Sequence, residues 1–130
     1  MSEAPAQTPN TVTWWELQVD DLETAKRFYG TVFGWVFQPF GEGFEMASLP
    51  DGTPVGGLDS AAGKGEQPAG RGVRVYVQVD DLEQTLDAIT TNGGSVLEKR
   101  TLISEEYGWY ALFADPSGLR IGLVSSNAPA

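Results

Sequence analysis

At 130 residues with a formal net charge of −10, the chain is long enough to bury a core as one domain, and too acidic to suit nucleic acid or an anionic membrane surface, both of which need clustered Lys and Arg. It contains neither cysteine nor histidine, which excludes disulfides, thiolate chemistry, His-based triads and zinc sites built on His or Cys. No apolar stretch approaches the roughly 18 residues that span a bilayer, and the N-terminus lacks the basic and apolar regions of a signal peptide, so the expected location is the cytoplasm.

Residues 1–10 and 126–130 are small, polar and proline-bearing, as frayed tails are. From Thr13 to Val19 the side chains alternate, with Trp15, Leu17 and Val19 on one face and Trp14, Glu16 and Gln18 on the other, as a strand packed on one side requires. Asp20 followed by Glu23 predicts a capping-box start for a helix whose apolar stripe is Leu22, Ala25, Phe28, Val32 and Phe33, and Gly34 ends it. Three short strands come next, at 35–39, 43–49 and 54–58, separated by Gly-Glu-Gly and Pro-Asp-Gly turns. The stretch 59–71 offers almost nothing to bury and reads as a flexible connector.

The pattern then restarts. Val73, Val75, Val77 and Val79 form an apolar face, Asp80 and Glu83 repeat the cap, and Leu82, Leu86 and Ile89 supply a helix stripe before Gly93 and Gly94. Strands at 95–101, 108–114 and 119–124 complete the second unit. Both halves carry the hexapeptide Gln-Val-Asp-Asp-Leu-Glu, at 18–23 and 78–83, so the chain is an internal duplication of β-α-β-β-β modules at 11–58 and 72–125. The Asp-Asp pairs within it resemble paired catalytic carboxylates, but their place at helix starts assigns them to capping.

The repeat and the residues around it carry a family resemblance: Val-Asp-Asp-Leu-Glu-Thr-Ala-Lys-Arg-Phe-Tyr, then Val-Phe-Gly-Trp at 32–35, a second Val-Asp-Asp-Leu, Asn-Gly-Gly at 92–94 and Ala-Asp-Pro-Ser-Gly at 114–118. Together they resemble the vicinal oxygen chelate superfamily, which includes glyoxalases, bleomycin-resistance proteins and extradiol dioxygenases. The resemblance implies an α+β fold in which two tandem βαβββ modules form an incomplete barrel, with helices outside and a ligand cavity inside. Trp14, Glu16, Gln18, Arg74, Tyr76 and Gln78 would face that cavity, with Arg120 as further polar lining.

Enzymes of that family hold a divalent metal with side chains from the first and last strand of each module. Aligned on Val19, Val79 and the Pro-x-Gly turns, those positions in this chain are Trp14, Arg74, Gly56 and Gly122, none of them a metal donor. No metal or other cofactor is therefore expected. The resemblance then points to a bleomycin-resistance-type binder of an aromatic or mid-sized organic ligand, a homodimer with ligand clefts between its subunits. A metal-independent isomerase, lyase or cyclase with Glu16 as base is the alternative from a different class, and a metal-dependent glyoxalase or dioxygenase is the third.

Individual residues keep two roles open at this stage. Trp14 is either a filler of the cavity or a stacking platform, and Glu16 with Arg74 is either a structural ion pair or a recognition pair. Gly56 and Gly122 mark either a close backbone approach or room for a ligand. Trp109 is assignable to core, edge or rim.

Overall fold

The computed structural model describes residues 8–60 and 72–129. Among these are eight strands and two helices, in the order β1 (Val12–Gln18), α1 (Leu22–Phe33), β2 (Val36–Pro39), β3 (Phe44–Ser48), β4 (Pro54–Asp59), β5 (Val73–Gln78), α2 (Leu82–Thr91), β6 (Ser95–Ser104), β7 (Gly108–Ala114) and β8 (Arg120–Ser125). The fold is α+β, and each sequence repeat is a βαβββ module. Most of the connector 59–71 lies outside the described residues. Its first two residues depart from the expectation, because Asp59 closes β4 and both Asp59 and Ser60 are buried.

By contact density the chain divides into Trp15–Arg74 on one side and Met1–Trp14 with Val75–Ala130 on the other. The compact units thus differ from the sequence modules by an exchange of leading segments. In the second unit Asn10 N–H donates to the Gln78 carbonyl, and Gln78 N–H to that of Thr11; in the first, Gln18 N–H donates to the Gly72 carbonyl. The end of each first strand is therefore paired by residues at the start of the other module, and the unit boundaries fall within β1 and β5 rather than in the connector.

Within Trp15–Arg74 the strand order is β2-β3-β4-β1, antiparallel except for the parallel pair β1–β4. The other unit repeats this as β6-β7-β8-β5 with β5–β8 parallel. A parallel return requires a long crossover, which α1 and α2 supply as part of each module. Both helices start one residue later than the capping-box pattern predicts. Asp21 and Asp81 are the N-caps, accepting from the backbone N–H of Glu23 and Gln84 respectively, while Glu23 and Glu83 turn to Lys26 and Arg100 instead of reaching back. The Thr24 hydroxyl and the Glu23 N–H hold the Asp21 carboxyl below its usual range.

Alternation in β5, β7 and β8 delivers Val77, Val79, Ala111 and Leu123 to the face under α2, where Leu82 and Leu86 complete a closed cluster. Phe113, Val96, Ile89 and Trp109 pack at its margin. Trp109 therefore belongs to the helix side, with the Arg100 guanidinium 5.2 Å from its ring centroid. Arg100 also donates twice to the Glu83 carboxylate, at 2.6 and 2.8 Å, and to the Asn127 carbonyl at 3.0 Å, tying α2, β6 and the C-terminal segment together.

The paired guanidinium holds the Glu83 carboxyl below its ordinary range, so this tie contributes stability above the unfolded carboxylate pKa and loses it as pH falls through the depressed one. Arg100→Ala is expected to cost about 1 to 2 kcal/mol at pH 7 from lost ring packing and hydrogen bonds. Urea denaturation at pH 7 and pH 3 checks the origin: the gap between wild type and variant should narrow in acid. An undiminished gap would assign the whole effect to packing on Trp109.

Candidate functional site

Residues opposite each other in paired strands share a face, so the register separates the side chains under a helix from those on the open side. In the first unit Leu17 pairs with Leu58 and Leu58 with Glu45, and Ala47 pairs with Phe37 and Gly56. This is the helix side: Lys26 of α1 lies 3.5 Å from Glu45, and Gly30 of α1 sits against the Phe37 ring. The alternate residues form the open face, with Glu16, Gly57, Met46 and Gln38 in one row and Gln18, Asp59 and Phe44 in the next.

The open face is polar and yet shielded. Glu16 is 7% exposed, Gln18 4% and Asp59 3%, and Arg74 of the same unit is 3% exposed. Sequestered charges cost several kcal/mol unless other groups compensate them, and each of these four residues has an interaction partner. Phe44 and Asp59 share this face, although sequence reasoning does not single them out. Asp59 is hidden by the polar stretch after it, whereas continuing the alternation of β3 would have found Phe44.

The second unit builds the corresponding face from Tyr76, Gly122, Leu112 and Glu98 in one row and Gln78, Val124, Tyr110 and Thr101 in the next, with Arg120 opposite Ala114. Tyr76 is buried; Gln78 and Arg120 are partly so. Here Glu98 Oε2 accepts from the Tyr110 hydroxyl at 2.9 Å and from Thr101 Oγ1 at 3.2 Å. Neither Glu98 nor Tyr110 is legible as a site residue in the sequence, because their meeting depends on a β6–β7 register that slips at bulges. Trp14, in β1 of this unit, is partly buried and has an interaction partner.

One expected position moves by a residue. Gly122 pairs with Tyr76, and the equivalent partner of Glu16 is Gly57, not Gly56. Gly56 lies on the helix side, where a Cβ would stand 2.8 Å from the Trp15 indole. The cause is the register shift at Ala47/Ser48: Ala47 pairs with Gly56 but Ser48 with Pro54, so β4 holds one extra residue between its turn and its paired stretch. Counting from the Pro-x-Gly turn consequently falls one residue short.

Both glycines of the open faces are covered by rings. A Cβ on Gly57 would lie 2.5 Å from Phe44 Cζ and 3.2 Å from Glu16 Cγ, and one on Gly122 would collide with Tyr76. Gly57→Ala is expected to destabilise by about 1 to 3 kcal/mol through this overlap. In a Phe44→Leu background the same change should cost markedly less. Equal costs in the two backgrounds, measured by chemical denaturation, would contradict the packing of Phe44 over Gly57.

This architecture has counterparts. Residues 10–123 match the model of the glyoxalase/bleomycin resistance protein/dioxygenase superfamily, and the chain belongs to that superfamily. It is 32% identical over 134 residues to CFP32 of Mycobacterium bovis, provisionally named a glyoxylase, covering 97% of this chain and 48% of that one. The chain thus spans about half the length of that curated relative. A glyoxylase-like domain-containing protein of Didymella fabae is 32% identical over 107 residues, covering 79% and 84%. Among solved structures, methylmalonyl-CoA epimerase of Streptomyces coelicolor is similar in fold, with a TM-score of 0.63 at 21% identity and coverage of 93% and 100%. A superfamily member from Vibrio splendidus gives 0.59 at 21% identity, covering 88% and 98%.

Proposed function

We propose that the chain binds a small organic molecule against the open face of its first unit, Trp15–Arg74, and that side chains alone, without a coordinated metal, provide the recognition. The observation that carries this reading is the concentration of shielded polar groups on the helix-free face of the first unit, where Glu16, Gln18 and Asp59 are each less than a tenth exposed. A face that served only to pack would be mostly apolar, as the helix side is apart from Glu45, which Lys26 pairs. Polar groups kept from bulk water, set among Phe44 and Met46, instead suit a ligand that is partly aromatic and carries hydrogen-bonding or charged substituents. Arg74 of the same unit, 3% exposed, is the further proposed contact.

The donor chemistry argues against the family's metal. With the corrected register, the positions expected to ligate are Trp14, Arg74, Gly57 and Gly122: an indole, a guanidinium and two glycines that other side chains cover. Among the described residues, no three His, Cys, Asp or Glu side chains converge as a coordination sphere would need. These residues do not fit the metal, and no catalytic step is assigned to one. Among those described, no helix is long and apolar enough to cross a membrane.

Native mass spectrometry of the gently purified protein is expected to show a retained organic molecule, and Glu16→Gln should weaken its retention about tenfold or more, as losing a shielded charge-assisted contact does. If the variant instead binds the retained molecule as tightly as wild type but wild type converts it and the variant does not, Glu16 is a general base and the protein an isomerase or lyase. A protein that retains nothing and binds no member of a metabolite library contradicts the reading.

A further inference from the structure

The turn from first strand to helix occurs twice in the fold, and in one copy the chain itself shows what covers it. In the second unit the end of β8 and the residues after it sit against the Val79–Asp80 turn: Asn127 Nδ2 donates to the Asp80 carbonyl at 2.8 Å, and Ser125 Oγ to the same oxygen at 3.4 Å. A basic group completes the contact, because Arg100 donates to the Asn127 carbonyl and to the Glu83 carboxylate in the first turn of α2. The strand–helix turn is thus a seat for extended peptide, held by amide, hydroxyl and guanidinium donors.

Aligned on the shared hexapeptide, the equivalent turn of the first unit is Val19–Asp20, and there the acceptors stay open. Among the described residues, neither the carbonyl nor the carboxylate of Asp20 accepts a hydrogen bond. Asp21 is committed to the helix cap, accepting from the Glu23 N–H at 3.1 Å and the Thr24 hydroxyl at 2.7 Å. Beside the turn opens a groove of about 350 Å³ lined by Val19, Asp20, Asp21, Ala25, Phe28 and Tyr29. Its wall continues along α1, because the apolar stripe expected to bury that helix does not do so: Phe28 is 56% exposed, Val32 54% and Phe33 57%, and the helix packs on its sheet through Leu22, Ala25 and Tyr29 instead. Tyr29 meets Phe28 edge-on at 4.9 Å and stacks on Trp35 at 5.5 Å, which fixes the wall. In α2 the positions equivalent to Phe28 and Val32 are Ala88 and Asn92, so the apolar wall belongs to the first module alone.

Charge decides the kind of segment. The groove joins an apolar floor to the carboxylates of Asp20 and Asp21, and the basic residues of α1, Lys26 and Arg27, do not line it. A neutral apolar segment would strip water from Asp20 and return no hydrogen bond, and an acidic one would be repelled; a Lys or Arg beside a large apolar side chain satisfies both ends of the groove. We propose that this groove is the docking site for an extended segment of another protein in which Lys or Arg stands near Leu, Phe or Trp, with the cation on Asp20 and the apolar side chain against Phe28 and Tyr29. Such a segment repeats, from a separate chain, what Asn127 and Arg100 supply in the second unit. The proposal is independent of the ligand reading, since α1 covers the opposite side of the sheet from Glu16 and Gln18.

A peptide array probed with the full chain tests this. It holds short peptides in which Lys or Arg stands near Leu, Phe or Trp, the same peptides with Glu for the basic residue, and overlapping peptides of the chain's own sequence. Basic-apolar peptides should be retained, with a Kd of about 10 to 100 μM by fluorescence anisotropy, and their Glu versions should not. Phe28→Ser should weaken this binding about tenfold or more with unchanged circular dichroism, as the ring is half exposed. Asp20→Asn should weaken it about three- to fivefold, a difference that shrinks in high salt, and Asp80→Asn in the second module should leave it as in wild type. An array that retains no basic-apolar peptide, or retains the basic and Glu versions equally, overturns the proposal. Binding unmoved by Phe28→Ser overturns it by placing the contact elsewhere, and capture confined to the chain's own peptides overturns it by showing that the groove serves the chain itself.

Discussion

The parallel pairing of first and last strand in each module is the constraint on which the rest depends. It sets Leu17 beside Leu58 and Val77 beside Leu123, burying Leu58 and Leu123 to 1% and 2% exposure beneath the helices. Strand alternation then leaves the neighbouring residues no choice: Glu16 must share the open face with Gly57, and Tyr76 with Gly122. The same geometry that builds each core therefore aims the polar groups away from it. Slipping either pair by one residue would exchange the two sets, burying polar groups under a helix and exposing leucines.

Duplication without symmetry is the second theme. The two modules share register, helix caps and a glycine on the last strand, but they have been put to different uses. One open face concentrates Glu16, Gln18 and Asp59; the other offers Tyr76, Tyr110 and the Glu98 carboxylate that Tyr110 and Thr101 engage. On the helix side, α2 closes over an aliphatic cluster, whereas α1 leaves Phe28, Val32 and Phe33 exposed. Repetition supplies the frame, and divergence at a few side chains supplies the chemistry.

Most of the fold is legible in the sequence because its signals are local. Period-two runs, Gly34 in the left-handed conformation at a helix end, and turn residues between short strands each act within a few residues. The features that the sequence conceals depend on contacts between distant segments. Counting along the chain selects Gly56 over Gly57 because a bulge shifts β3 against β4. Asp59 reads as connector because its polarity matches that of residues 60–71, although it closes β4. Phe28, Val32 and Phe33 have helical spacing, but spacing alone does not say which of two apolar stripes the sheet covers. The caps move from Asp20 and Asp80 to Asp21 and Asp81 because two adjacent acceptors present the same signal.

Recognition by rings, amides and charges, with no coordinated cation, is the functional core of this account. Isothermal titration of the chelator-treated protein with nickel, zinc, manganese and ferrous ions tests it most directly. The predicted outcome is no stoichiometric binding stronger than about 0.1 mM, as scattered surface carboxylates give. One equivalent of any of these ions bound with a submicromolar Kd, and lost on substitution of Glu16, would contradict it.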